Sequence, residues 1–130
     1  MQEYADLVNN FKSEDTIGLL TIDKIKAIVK DEYERQCGDI VLTEYNNKVR
    51  QKEYVFYRAI VWEINRKYFN ASLSTQGLVF KKDHATVLNG IRKIQNLRDT
   101  EPAAIELQIL DNCLKYISEQ IDLGTLKLTK

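Results

Sequence analysis

Apolar residues recur at spacings of three and four along most of this chain, which is the pattern of amphipathic helices. The longest run of this pattern extends from Val49 to Phe69. The residues that share its apolar face are Tyr54, Tyr57, Val61, Ile64 and Tyr68. Strict apolar–polar alternation is scarce, and only one proline and five glycines are present to interrupt helices. We therefore predict an all-α, compact helical domain with about five to six helices.

The amphipathic segments divide the chain into three parts. Residues 1–20 are expected to hold an N-terminal helix and a connection, residues 21–98 the central domain, and residues 99–130 a C-terminal helix and tail. The apolar residues of the N-terminal helix are Tyr4, Leu7, Val8 and Phe11. Those of the C-terminal helix, which should end near Gly124 and either pack back on the domain or dimerise, are Ile105, Ile109, Cys113, Ile117 and Ile121.

Capping residues mark the helices of the central part. Thr21 can cap its first helix, and Gly38 is a suitable stop. The segment from Leu73 to Val79 is long enough for two helical turns, and Asp83 can cap the helix that follows. The apolar face of this following helix is formed by Val87, Leu88, Ile91, Ile94 and Leu97. A short helix, a turn and a second amphipathic helix satisfy the geometry of a helix-turn-helix.

Charge is segregated along the chain although the net charge is zero. Residues 1–45 hold 5 basic and 10 acidic side chains, residues 46–98 hold 11 and 3, and residues 99–130 hold 3 and 6. A basic face flanked by acidic, solubilising elements would give this distribution. The basic excess of the central part favours a polyanionic partner such as nucleic acid.

Several classes of protein are excluded by what the sequence lacks. The longest uncharged apolar stretches are far shorter than the roughly 18 residues that a membrane span needs, and five charges among the first twenty residues argue against a signal peptide. Cys37 and Cys113 form no CxxC pair, so we expect reduced thiols in a cytoplasmic protein. With a single histidine, the sequence offers too few ligands for a zinc site. No nucleophile stands with a recognisable base, so we expect a non-enzyme without a cofactor.

The residues from Lys82 to Leu88, continued by Arg92-Lys93-Ile94, resemble the signature of the C-terminal DNA-binding domain of the bacterial replication initiator DnaA. That signature usually has Gly-Gly-Arg-Asp-His-Thr-Thr-Val-Leu followed by Arg-Lys-Ile. The matching residues are Asp83, His84, Thr86, Val87, Leu88, Arg92, Lys93 and Ile94. The resemblance covers roughly residues 21–98 and implies a helix-turn-helix of the DnaA C-terminal or Trp-repressor-like type. No GxxxxGK[ST] loop of the initiator's ATPase portion is present, so no ATPase activity is expected.

The resemblance also implies which residues meet DNA. The Asp-His-Thr end of the second helix would enter the major groove, and an arginine from a basic loop before the long helix, here Arg50, would enter the minor groove. Asp83 either only caps the helix or also accepts a hydrogen bond from a cytosine amino group, and His84 would contact a base edge or a phosphate. Thr86 would contact a phosphate or a thymine methyl. The full set of candidate residues is Arg50, Lys52, Lys81, Lys82, Asp83, His84, Ala85, Thr86, Asn89, Arg92 and Lys93.

Four departures from the family pattern bear on specificity. Ala85 replaces the first threonine and Lys82 replaces the arginine, a glycine of the turn is missing, and Asn89 stands where a histidine is common. Alanine retains a methyl for thymine but loses a hydroxyl, and lysine lacks the bidentate geometry of arginine. We therefore expect phosphate binding to be better preserved than discrimination between bases.

The leading hypothesis is a double-stranded DNA-binding protein, from a bacterium or a phage, that regulates replication or transcription. One alternative is a protein-interaction module of the same fold that uses residues 102–121 to bind a second copy or another protein. A second alternative is a protein that binds single-stranded nucleic acid by stacking its bases on Tyr54, Tyr57 and Trp62. The first alternative requires an apolar surface on the C-terminal helix, and the second requires exposed rings.

Overall fold

A computed structural model describes residues 18–38, 51–70 and 72–128 of the protein. Within these ranges it contains five helices and two very short strands. The helices are α1 (Ile22–Cys37), α2 (Gln51–Phe69), α3 (Leu73–Leu78), α4 (His84–Thr100) and α5 (Ile105–Asp122), and the strands are β1 (Gly18–Leu19) and β2 (Leu126–Lys127). None of these helices is long and apolar enough to cross a membrane. The predicted N-terminal helix, residues 4–11, lies outside the described residues.

Helix α1 begins and ends where its capping residues predict. The Thr21 hydroxyl accepts a hydrogen bond from the Lys24 backbone N–H at 3.1 Å, which satisfies one of the free donors of the first turn. Gly38 follows the helix with a φ of 86°, a left-handed conformation that glycine adopts without steric cost. The apolar stripe of Ile25, Val29 and Tyr33 is buried.

Helix α2 is the central element of the core, because it packs against α1, α4 and α5. Its middle is buried on nearly all sides, and five of its apolar residues are at most 1% exposed: Ala59, Ile60, Val61, Trp62 and Ile64. The long predicted helix is therefore confirmed, and it forms the centre of the core. Its single-face pattern understated this burial, since neighbouring helices cover several sides of it.

Helix α5 packs its apolar face back on the domain. Leu107, Ile109, Leu110, Cys113 and Ile117 are buried against α1 and α2. At its polar margin the Asn112 side-chain amide donates to the Glu32 carboxylate of α1 at 2.8 Å. The stripe that suggested a docking surface is thus used within the domain, with Ile105, 38% exposed, at its outer end.

The two strands form a parallel pair that the sequence analysis did not predict. The Gly18 N–H donates to the Thr125 carbonyl at 3.0 Å, and the Leu20 N–H donates to the Lys127 carbonyl at 2.7 Å. Leu20 and Leu126 are buried beside this pair. The pair therefore ties the segment before α1 to the segment after α5, and the helical class remains as predicted.

Close contact between α2 and α4 depends on Gly90. A Cβ atom at this position would lie 2.9 Å from Cζ3 and 3.0 Å from Cε3 of Trp62, whose indole is 1% exposed. Because the indole is rigid and enclosed, it cannot move aside without shifting one of the two helices. The residue at position 90 thus sets the distance between α2 and α4.

Gly90→Ala should lower the free energy of unfolding by about 1–3 kcal/mol, because overpacking against Trp62 outweighs the gain in helix propensity. Urea denaturation followed by circular dichroism measures this change. Gln95→Ala, at an exposed position of the same helix, controls for propensity and should have little effect. A Gly90→Ala protein more stable than the wild type would contradict the role assigned to this contact.

Candidate nucleic-acid interface

Helices α3 and α4 form the predicted helix-turn-helix, and each has a side-chain cap at its N-terminus. The Ser72 hydroxyl accepts from the Thr75 N–H at 3.1 Å and so begins α3. The Asp83 carboxylate accepts from the Thr86 N–H at 2.9 Å and from the Thr86 hydroxyl at 2.8 Å, and so begins α4. The predicted cap at Asp83 is confirmed. Its position fixes the first turn of α4, the element that would enter a major groove.

The turn between the two helices is anchored by Phe80, whose side chain is only 6% exposed. Its ring meets those of Tyr54, Tyr57 and Trp62 on α2 at centroid distances of 6.3, 5.6 and 5.7 Å, with interplanar angles of 82°, 76° and 83°. Edge-to-face pairs of this kind contribute about 0.5–1.5 kcal/mol each beyond their buried area. The burial of the three α2 rings also removes the basis for single-stranded stacking, which needs exposed rings.

A buried polar bridge joins α2 to α3 beside this aromatic cluster. The Trp62 indole N–H donates to the Gln76 carbonyl at 3.0 Å, and the Asn65 side-chain amide donates to Gln76 Oε1 at 2.9 Å. Both amide side chains are at most 1% exposed. Hydrogen bonding in such a site is directional, so the bridge fixes the orientation of α3 as well as its position. The sequence gives no signal for it, because the two residues belong to different helices.

The backbone of the turn closes with the two hydrogen bonds of a Schellman motif. The Lys82 N–H donates to the Gly77 carbonyl at 2.8 Å, and the Lys81 N–H donates to the Leu78 carbonyl at 3.4 Å. A Cβ on Gly77 would lie 2.0 Å from the Lys82 carbonyl oxygen, so only glycine fits there. Lys81 occupies the left-handed position of the motif, with a φ of 57°. This is the region where the family's turn glycine is missing, and a side chain there costs about 1–2 kcal/mol.

The N-terminal end of α4 presents the candidate residues to solvent. The exposed members of the set in this region are Lys81, Lys82, Asp83, His84, Ala85, Asn89, Arg92 and Lys93. Thr86 is half-buried, and its hydroxyl is used in the cap. The backbone N–H and the hydroxyl of Thr86 lower the pKa of Asp83 by hydrogen bonding to its carboxylate, so this side chain is held in its charged, capping form.

The two faces of α4 are separated as a DNA-reading helix requires. Val87, Ile91 and Ile94 point into the core, whereas Ala85 and Asn89, four residues apart, lie on the same exposed side. Arg92 and Lys93 continue this side one turn later. The helix N-terminus adds free backbone N–H groups and a partial positive charge, which favour phosphate oxygens.

Of the two candidate DNA-binding residues that precede α3 in the sequence, only Lys52 lies among the described residues. Lys52 is exposed in the first turn of α2. Arg50, the candidate for the minor groove, lies outside the described residues. The placement of the predicted basic loop relative to α4 therefore stays a prediction.

Arg58 is a basic residue near this unit that sequence reasoning missed. Its guanidinium carbon lies 5.1 Å from the ring centroid of Tyr54 and 5.6 Å from that of Trp62. Its Nε is buried without a hydrogen-bond partner among the described residues. Arg58 lies four residues from each of these aromatic positions, so the helical period predicts their proximity. Apolar periodicity gives no indication of this residue, because its side chain is charged.

Lys81→Gly should raise the free energy of unfolding by about 0.5–1 kcal/mol, because release of the left-handed strain exceeds the entropy that glycine adds to the unfolded chain. Chemical denaturation gives the comparison with the wild type. Asn70→Gly is a matched control, since Asn70 also has a positive φ, 50°, but asparagine tolerates this region better. Its gain should be smaller. A loss of stability in Lys81→Gly would show that the lysine side chain stabilises the turn.

Comparison with known proteins agrees with this geometry. Residues 22–94 match the family described as bacterial dnaA protein helix-turn-helix. No solved structure gave a significant match. The match begins at the first residue of α1 and ends at Ile94, a buried residue of α4, so it spans the unit that holds the turn in place. With more than half of its length matched, this chain belongs to the bacterial DnaA helix-turn-helix family.

Proposed function

We propose that this protein binds double-stranded DNA at sites related to the DnaA box, and that it acts in the control of replication or transcription without ATPase activity. The observation that carries the proposal is the exposed, basic and polar N-terminal end of α4, held on a rigid helix-turn-helix. Membership of the DnaA family supports double-stranded DNA as the ligand. We also propose that the protein prefers certain DNA sequences, through the side chains at the N-terminal end of α4.

Base contacts are assigned to the first two turns of α4. An asparagine such as Asn89 matches the donor and acceptor pair of adenine in the major groove, and the methyl of Ala85 suits the methyl of thymine. His84 precedes Ala85 at the start of the helix, where its ring reaches a base edge or a phosphate. Asp83 accepts from a cytosine amino group only through an oxygen that the cap leaves free, since Oδ1 is already used.

Phosphate contacts are assigned to the cations around this end. Lys81, Lys82, Arg92 and Lys93 are exposed on the turn and along α4. Their charges position the helix on the duplex and make the affinity depend on salt concentration. Arg50 is assigned to the minor groove, and Lys52 lies two residues after it in the sequence. Lysine at position 82 binds a phosphate without the bidentate geometry of arginine.

The neutral net charge does not oppose this assignment. Asp83 is the only acidic residue between positions 72 and 98, and its carboxylate caps α4. The acidic residues are concentrated in other parts of the chain, for example Glu106, Asp111 and Glu119 on α5. The helix-turn-helix therefore retains a local positive charge. The buried apolar stripe of α5 gives the competing interaction-module hypothesis no comparable support.

His84→Ala should weaken binding to a duplex that carries a DnaA-type box by about 1–3 kcal/mol, and should weaken binding to a scrambled duplex less. Lys82→Ala should weaken binding to both duplexes similarly and reduce the salt slope by about one. Fluorescence anisotropy across a salt series measures both quantities. Lys115→Ala, at an exposed position of α5, removes one charge far from the turn and should bind like the wild type.

Two results would count against the proposal. Equal and steeply salt-dependent binding of the wild type to both duplexes would leave a non-specific DNA-binding protein. No binding to either duplex near about 50 mM salt would remove the DNA-binding function itself, because phosphate contacts are strongest at low salt.

A further inference from the structure

Lys26 connects α1 to the turn of the helix-turn-helix, although it lies 53 residues before that turn in the sequence. Its ammonium donates to the Val79 carbonyl at 3.1 Å. The same nitrogen lies 4.6 Å from the centroid of the Phe80 ring. One cation thus contacts the backbone and the side chain of two consecutive turn residues.

The hydrogen bond from Lys26 satisfies a backbone carbonyl at the C-terminal end of α3. The carbonyls of Gly77 and Leu78 accept the backbone N–H groups of Phe80, Lys81 and Lys82. The Val79 carbonyl, one of the last at this end of the helix, is satisfied by Lys26 instead. Carbonyls at a helix C-terminus carry partial negative charge, and a charged donor makes a stronger bond to them than a neutral one.

The contact with Phe80 completes the enclosure of its ring. The three α2 rings meet Phe80 with near-perpendicular planes, and the Lys26 ammonium is placed over it from α1. A cation near an aromatic ring is attracted by its electron-rich face, more strongly where water is excluded. Phe80 is therefore held between two helices, and the strained residue Lys81 follows it directly.

We propose that Lys26 is a positioning residue for DNA binding. By fastening the turn to α1, it fixes the orientation in which α4 meets the duplex, and its ammonium is used on the turn and not on a phosphate. This inference rests on the DNA-binding function proposed above. Groups that recognise a ligand must be held to within about 0.5 Å of their binding geometry, so loosening the turn lowers affinity without removing any contact residue.

The test compares Lys26→Met, which retains the aliphatic stem and loses the ammonium, with Lys26→Arg, which retains the charge. Lys30→Met, at an exposed position one turn along α1, is the matched control. Anisotropy with the box duplex gives affinity and salt slope, and NMR hydrogen exchange gives the protection of the Phe80 and Lys82 amides. Circular dichroism establishes that each variant is folded, and Lys26→Gln replaces the methionine variant if that variant is not.

We expect Lys26→Met to bind the box duplex roughly tenfold more weakly, the size of one charge-assisted hydrogen bond, with an unchanged salt slope. The Phe80 and Lys82 amides should exchange faster, while amides in the middle of α5 keep their rates. Lys26→Arg should recover most of the affinity, and Lys30→Met should behave like the wild type. This combination separates positioning from a general loss of stability, which would speed exchange throughout the domain.

Two outcomes would overturn the inference. A folded Lys26→Met protein with wild-type affinity would show that the contacts of the Lys26 ammonium with Val79 and Phe80 do not affect DNA binding. Weaker binding with a salt slope reduced by about one would show that Lys26 contacts a phosphate. Wild-type protein that binds no duplex would instead overturn the proposed function, which distinguishes the two failures.

Discussion

The burial of Phe80 is the interaction on which the position of the helix-turn-helix depends. A turn between two helices has little apolar surface of its own, and a six-residue helix such as α3 is too short to be stable alone. The ring solves both problems by entering a pocket of three aromatic side chains on α2. Because the turn is attached to the most buried helix, the position of α4 is set by the core of the domain and not by its own ends.

Close backbone approach is the second requirement, and it explains why glycines stand where they do. Gly90 lets α4 lie against Trp62, and Gly77 lets the chain reverse within contact of the Lys82 carbonyl. Lys81 departs from this logic, because a lysine occupies a left-handed position. Strain that persists in a folded protein must be held by its surroundings. Phe80 before it and the Asp83 cap after it supply that restraint, and the lysine adds a cation next to the candidate DNA surface.

Local signals in the sequence predicted much of this arrangement. The caps at Thr21 and Asp83 and the stop at Gly38 depend on neighbouring residues, so single side chains were sufficient to place them. The interactions that were missed join residues of different helices, strands or turns, and local signals do not predict how such elements are placed relative to one another. They are the β1–β2 pair, the Asn65–Gln76 bridge and the contact of Lys26 with the turn. Arg58 is a different case. The aromatic residues that it contacts are only four residues away on the same helix, but a charged residue does not contribute to an apolar pattern.

Helical periodicity and capping are properties of short segments, so the helical class, the helix-turn-helix and the residues on the exposed side of α4 could be predicted from the amino-acid sequence. Which apolar faces remain free depends on the packing of the helices. The α5 stripe could have formed an interface, and the α2 rings, although their spacing favoured a core position, could have stacked on bases. Packing against α1 and α2 buries the stripe, and packing against the turn and α4 buries the rings. The physical reason is that amphipathicity shows that a face will be covered, whereas the covering partner depends on how the helices assemble.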